Sequence, residues 1–298
     1  MGVMRAVQVV RRMDEGENLE SEGRLEQKPE GVVQVDKSRV ASSFGRAAER
    51  YDSVAYLQRL VADQLLEWAQ LSDVTGLVLD VGCGTGYVAK QVLRDYPALA
   101  CLGLDIAEGM LQYAQRDQSN DAGKVHWLCA DAERLPLADS SIAAAVSNFA
   151  LQWCPNLSNA LTEVFRVLVP GGRLLMTLPA HDTLRELKES WRRADTSYSH
   201  VNEFPDEERV LRDIAAGGLR VRRAARISRC AYYPSVVDLT MELKTLGAQN
   251  ATLGRNRAMT SKRRYQDMLA HYERFRCANG KLPATWRILA FELEKPRD

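Results

Sequence analysis

The chain has 298 residues, enough for one large domain with a full core. Its apolar share of 46% beside 27% charged residues is that of a soluble globular protein, and 40 basic against 39 acidic side chains exclude a general binder of nucleic acid or membrane. No apolar run approaches the ~20 residues of a membrane-spanning helix, and the start lacks an apolar core followed by a cleavage site, so a cytoplasmic protein is expected.

Residues 1–37 are polar and charge-mixed without sustained periodicity, which predicts a mobile extension. One domain is expected over 38–298. Its first part, 38–72, carries apolar residues at three and four spacing and reads as helical. Short apolar runs then alternate with helical stretches: "GLVLDVGCGTGY" before "VAKQVLRDY", "ALACLGLDI" before "AEGMLQYAQR", then "KVHWLCADA", "SIAAAVSNFALQW", the amphipathic "LSNALTEVFRVL" and "RLLMTL". This alternation predicts an α/β fold, a mostly parallel sheet covered by helices on both faces. "HDTLRELKESW" reads as a helix start, with Thr183 as N-cap and Glu186 closing a capping box. Leu184, Leu187 and Trp191 fall on one face of it, and Arg185, Lys188 and Arg192 on another. "AARISRCAYY" and "TWRILAFEL" read as two final strands, with a mostly helical insertion over 234–283 before the last of them.

The six cysteines are scattered without a C-x-x-C pair, and most sit in apolar contexts suited to packing in a reducing compartment. None of the four histidines has ligand spacing, so a metal site finds no support.

"LDVGCGTG" puts Gly82, Gly84 and Gly86 between the first strand and the first helix after it, where the backbone can approach a ligand. The spacing is G-x-G-x-G rather than the dinucleotide G-x-G-x-x-G, and Asp80 precedes it inside the strand end. A carboxylate there repels a pyrophosphate and suits a ligand bearing an amine. Asp105 ends the second strand, where it can accept both hydroxyls of a ribose, and Asp131 follows the third, where it can meet an adenine amino group. The plainer alternative is that both aspartates only cap strand ends.

This series over residues 75–180 resembles the class I S-adenosylmethionine-dependent methyltransferases. The resemblance implies a Rossmann-like, mostly parallel seven-stranded sheet and S-adenosyl-L-methionine as cofactor. It adds Tyr51, Met110, Ala132 and Asn148 to the cofactor-binding residues, with Tyr56 as a second covering tyrosine and Asn148 at the methionine end. "VASSFGRAAERYDSVAYLQ", "ALQWC", "TLRELKESW", "HVNEF" and "ELKTLGAQN" narrow it further, over roughly residues 38–285. They are similar to the malonyl-(acyl carrier protein) O-methyltransferases of biotin synthesis. That family implies methylation of the free carboxylate of a malonyl thioester, masking its charge for elongation toward pimeloyl.

A carboxylate is ionised at neutral pH and needs no general base, but it needs a fixed cation to hold it in line with the methyl group. Arg grips both oxygens, and Arg185, just past the fifth strand, is the expected anchor. Lys188 and Arg192 read as rim charges. Trp153 is expected in the pocket wall, with His200 and Asn202 assisting the malonyl group. "GRNRAMTSKRR", residues 254–264, holds five cations and no acid, and is expected to dock an acidic acyl carrier protein or else to be a solvated face. Methylation of a small free carboxylic acid or a quinone precursor, and a non-catalytic binding module on the same fold, are the competing readings.

Overall fold

The computed structural model describes residues 35–69, 71–117, 125–248, 250–251 and 260–297. The extension expected over 1–37 lies outside these residues except for its last three. Of those, Asp36 caps the first helix by accepting from the Arg39 backbone N–H, and Lys37 opens that helix.

The first helices are α1 (Lys37–Tyr51) and α2 (Tyr56–Ala69), followed by β1 (Leu77–Val81), α3 (Tyr87–Asp95), β2 (Ala100–Asp105), α4 (Glu108–Arg116) and β3 (Val125–Cys129). β4 (Ile142–Asn148), α5 (Leu157–Val167), β5 (Leu168–Pro179), α6 (Arg185–Ala194) and α7 (Glu207–Ala216) come next. β6 (Arg220–Tyr233), α8 (Val236–Thr245), α9 (Lys262–Tyr272) and β7 (Leu282–Glu294) complete the described elements. The seven strands form one sheet in the order β3-β2-β1-β4-β5-β7-β6. The first five are parallel, and β7 runs antiparallel to both β5 and β6.

The near-continuous apolar runs of β1, β2 and β4 follow from burial on both faces. Leu161 and Val164 of α5 and Val210 and Ile214 of α7 pack one side, and Leu65 of α2 with Val88 and Val92 of α3 pack the other. A third cluster joins Leu187, Leu239 and Met268 of α6, α8 and α9 to Trp286 and Ile288 of β7, so the helical insertion has its own core against the sheet edge. Strand order reverses between β1 and β4, so the loops leaving their carboxyl ends diverge and open a crevice there.

Two local expectations are corrected. Helix α7 was not anticipated, although "PDEERVLRDIAAGG" carries its Asp206 cap and first-turn acids. The capping box at Thr183 does not form. Thr183 instead bonds the backbone of Arg287, and the buried Glu186 accepts from both the N–H and the hydroxyl of Thr285. Both side chains are spent docking α6 onto β7, and Leu184 in a left-handed conformation (φ 57°) starts the helix.

Candidate active site

A cleft of about 730 Å³ lies at the carboxyl ends of β1, β2 and β4. The chain leaves β1 through Gly82 at φ 73°, where a Cβ would stand 2.1 Å from that of Ala150. Only glycine lets this turn pass the loop after β4. Gly84, at φ 52°, would place a Cβ in open space, so its backbone forms the cleft surface. The Gly84 N–H donates to Asp105 Oδ2 at 2.9 Å and the Ala107 N–H to Oδ1 at 2.7 Å. Burial raises the Asp105 carboxyl above its ordinary value, and these amides pull it partly back.

Asp80 is 2% exposed, and its Oδ2 has no hydrogen-bond partner among the described residues. Burial pushes its carboxyl up to about 7, against a hydrogen bond from the Ala89 backbone and with help from the charge of Asp105. It lines a deeper extension of the cleft with Tyr51, Gly82, Gly84 and Asn148. Asp131 lies two residues past β3, bound by Lys37 Nζ at 2.5 Å and by the Glu133 N–H at 3.0 Å. Lys37 also contacts the Glu133 carboxylate, so the first turn of α1 is strapped across the cleft. Met110 and Ala132 line the same wall.

Asn148 lines the cleft too, but its amide donates to the Gln58 carbonyl at 2.9 Å and accepts from the Thr177 hydroxyl at 2.7 Å. Those bonds tie α2 to β4 and β5. Tyr51 is at the cleft, its phenol pushed up by burial and by the charge of Asp105. Tyr56 is 56% exposed and faces solvent instead.

A second, larger cleft continues from the first, sharing Phe44, Tyr51, Phe149 and Trp153 with it. Phe44 and Trp153 meet edge to face at 5.5 Å. Phe149 sits at φ 52°, a left-handed conformation unusual for an aromatic residue, held by its N–H bond to the Thr177 carbonyl. The far wall includes Trp191 and His200, whose rings stack at 3.9 Å and 7°. His200 Nε2 lies 2.9 Å from Asp195 Oδ2, and the buried Asp195 also binds Arg264 at 3.1 Å and the Ser197 N–H at 3.0 Å. Burial opposes ionisation of Asp195, yet its bonds to His200 and Ser197 and the Arg264 charge hold its carboxyl below the ordinary value. Asn202 lines the cleft and accepts from the Ala251 N–H at 3.0 Å. Among the described residues lining this second cleft there is no Asp or Glu.

The structure thus brings Tyr51, Asp80, Gly82, Gly84, Asp105, Met110, Asp131, Ala132, Asn148 and Trp153 around the first cleft and its extension, and Trp153 and His200 around the second. Three expected residues stand elsewhere: Tyr56 on exposed surface, Gly86 and Arg185. Gly86 caps α3, where a Cβ would meet Trp127 at 2.4 Å, so its role is packing of helix on strand. Arg185 is 60% exposed, touches Glu186 at 3.3 Å and lines a separate surface groove with Glu189, Ser228 and Arg287. Successive residues of a helix are turned about 100° apart, so with Leu184, Leu187 and Trp191 facing the second cleft, Arg185 cannot face it as well. Lys188 bonds the His181 carbonyl and Glu203. Lys37, Phe44 and Phe149 were missed; nothing local in the sequence marks them as cleft residues.

A doubly wound sheet with a glycine turn after β1 and carboxylates at the ends of β1 and β2 and just beyond β3 defines a class I methyltransferase. A methyltransferase-domain family model matches residues 79–176. The chain belongs to the malonyl-(acyl carrier protein) O-methyltransferase family: it is 40% identical over 262 residues to the protein of that name from Methylococcus capsulatus, covering 87% of this chain and 94% of the relative. It is also 40% identical over 264 residues to the biotin biosynthesis bifunctional protein BioHC of Cellvibrio japonicus. There the match covers 88% of this chain and 51% of the relative, so the chain spans about half the length of that bifunctional protein. Among solved structures, a putative methyltransferase from Bacillus halodurans shares the fold at a TM-score of 0.56 and 18% identity, covering 78% of this chain and 99% of that one. Among the described residues no helix is long and apolar enough to cross a membrane.

Proposed function

We propose that the chain transfers the methyl group of S-adenosylmethionine to the free carboxylate of a malonyl thioester carried by an acyl carrier protein, a step of biotin synthesis. One observation carries this reading: the two joined clefts differ in charge. The first holds Asp80 and Asp105 beside Asp131, which Lys37 pairs, and suits a ligand with a cationic end, while the second has no carboxylate among its described lining residues and suits an anionic acceptor.

The first cleft fits the cofactor. Asp80, with a buried oxygen left without a partner among the described residues, would receive the ammonium, and Asp105 has lone pairs left beyond its bonds to the Gly84 and Ala107 amides for ribose hydroxyls. When bound, S-adenosylmethionine supplies a methyl group whose bond to sulfur breaks with the electron pair staying on sulfur as a carboxylate lone pair forms the new O–CH3 bond. No proton moves, so the side chains have only to bind, orient and exclude water. Phe44, Tyr51, Phe149 and Trp153 form an apolar collar where the clefts meet, and dehydrating the carboxylate there raises its nucleophilicity. His200, stacked on Trp191 and held by Asp195, shapes the acceptor wall rather than acting as a base. The acceptor cleft is larger than the first and lined mostly by apolar side chains, which suits a long thioester arm.

The test is incubation with malonyl-carrier protein and methyl-labelled cofactor, with the label located by mass spectrometry. A methyl ester on the malonyl carboxylate is expected. Label on free dicarboxylic acids and none on the carrier-bound substrate would overturn the reading.

A further inference from the structure

Methylation of an anion needs a cation to receive it, and Arg185 does not supply one. Three basic side chains line the two clefts among the described residues: Lys37, His200 and Lys244. Lys37 is committed to Asp131 and Glu133, and His200 to Asp195. Lys244, in the last turn of α8, is exposed, lines the acceptor cleft and forms no side-chain hydrogen bond or ion pair among the described residues. Its neighbour Glu242 accepts from the Tyr233 hydroxyl at 2.7 Å.

The backbone holds this lysine near the reacting end of the cleft. One turn past it, Gly247 sits at φ 75°, where a Cβ would stand 3.1 Å from the Phe44 Cα. Phe44 belongs to the collar shared by both clefts. The C-terminus of α8 is therefore pressed against α1 beside the collar, and Lys244 reaches from one turn, about 5 Å, behind that contact.

We infer that Lys244 is the acceptor-binding cation, pairing with the substrate carboxylate and orienting it toward the collar; this rests on the proposed methylation of a carboxylate. The chemistry sets how the contact acts. The carboxylate is fully charged when it binds, loses charge as the O–CH3 bond forms, and is neutral as the ester. A cation beside it therefore binds substrate more strongly than transition state, and product least of all. Lys244 selects and positions the anion and lets the ester leave.

The test uses the full chain and its Lys244→Gln and Lys244→Arg variants with malonyl-carrier protein and its methyl ester. Lys244→Gln should raise KM for malonyl-carrier protein about ten-fold, the lower end for a bond to a charged group because the ammonium is exposed, with kcat changed far less. Affinity for the methyl ester and for the cofactor should stay as in wild type, and Lys244→Arg should recover most of the loss. An unchanged KM in Lys244→Gln, or equal loss of affinity for acid and ester, overturns the assignment. Failure of the wild-type chain to methylate malonyl-carrier protein at all would instead overturn the proposed function.

Discussion

The backbone N–H of Gly84 donates to the carboxylate of Asp105 at 2.9 Å, locking the turn after β1 to the end of β2. One carboxylate thus shapes the glycine turn and lines the first cleft. Asp105→Ala should lower affinity for S-adenosylmethionine by roughly 1.5 to 3 kcal/mol, the range for hydrogen bonds to a charged group. It should also lower Tm, because the Gly84 and Ala107 amides lose their acceptor. Calorimetric titration and thermal melts separate the effects; unchanged affinity would remove Asp105 from the cofactor site.

Asp80 should make cofactor binding depend on pH. Its carboxyl is raised to about 7, chiefly by burial, against an ordinary value of about 4. Between those values the folded chain holds a proton that the unfolded chain has lost. The associated stability is full below the unfolded value and is lost as pH rises through about 7. A cationic ligand favours the ionised form, so cofactor affinity should rise with pH toward about 7, by at most about ten-fold per unit, and level off above it. Asp80→Asn should bind more weakly and flatten this profile. A wild-type affinity independent of pH from 5.5 to 8 would show that Asp80 does not meet the cofactor's charge.

Of the basic run over 254–264, the residues before Thr260 lie outside those described. Lys262 and Arg263 open α9 on exposed surface, and Tyr265 of the same helix lines the acceptor cleft. Arg264 differs, because it holds the buried Asp195. Reversing only Lys262 and Arg263 to Glu should slow turnover of malonyl-carrier protein at low salt and spare a short malonyl thioester lacking the protein. Equal slowing of both would assign the patch to the fold.

The first cleft was legible because it depends on short, local patterns. Gly82, Gly84, Asp80 and Asp105 sit at strand ends, where strand-helix alternation fixes both their place and their direction. The acceptor half is assembled from α1, α6, α8 and the segments after α6 and α8, which meet only in three dimensions. Arg185 shows the difficulty: its helix was read correctly, and the apolar face does line the cleft, but that same face turns Arg185 away. Lys244 lies in "ELKTLGAQN", and only the packing of α8 on α1 singles it out. Arg185→Ala should accordingly leave kcat/KM within about two-fold of wild type, as for a surface side chain.

Asp195 is the joint on which the acceptor wall turns. It ends α6, receives His200 from the following loop and Arg264 from α9, and is buried among them. Asp195→Asn preserves volume but removes the charge that both partners address. The loss should be on the order of 3 kcal/mol, the low end for breaking a buried pair, because Arg264 is 43% exposed and can turn to water. For a chain of this size that corresponds to a fall in Tm of roughly 6 to 12 °C. His200 would no longer be clamped against Trp191, so KM for malonyl-carrier protein should rise while cofactor affinity, set at the other cleft, stays near wild type. His200→Phe, which keeps the stack on Trp191 without the hydrogen bond to Asp195, should retain more of the acceptor affinity than His200→Ala. If Asp195→Asn weakens cofactor and acceptor equally, the cluster supports the whole domain and not the acceptor wall.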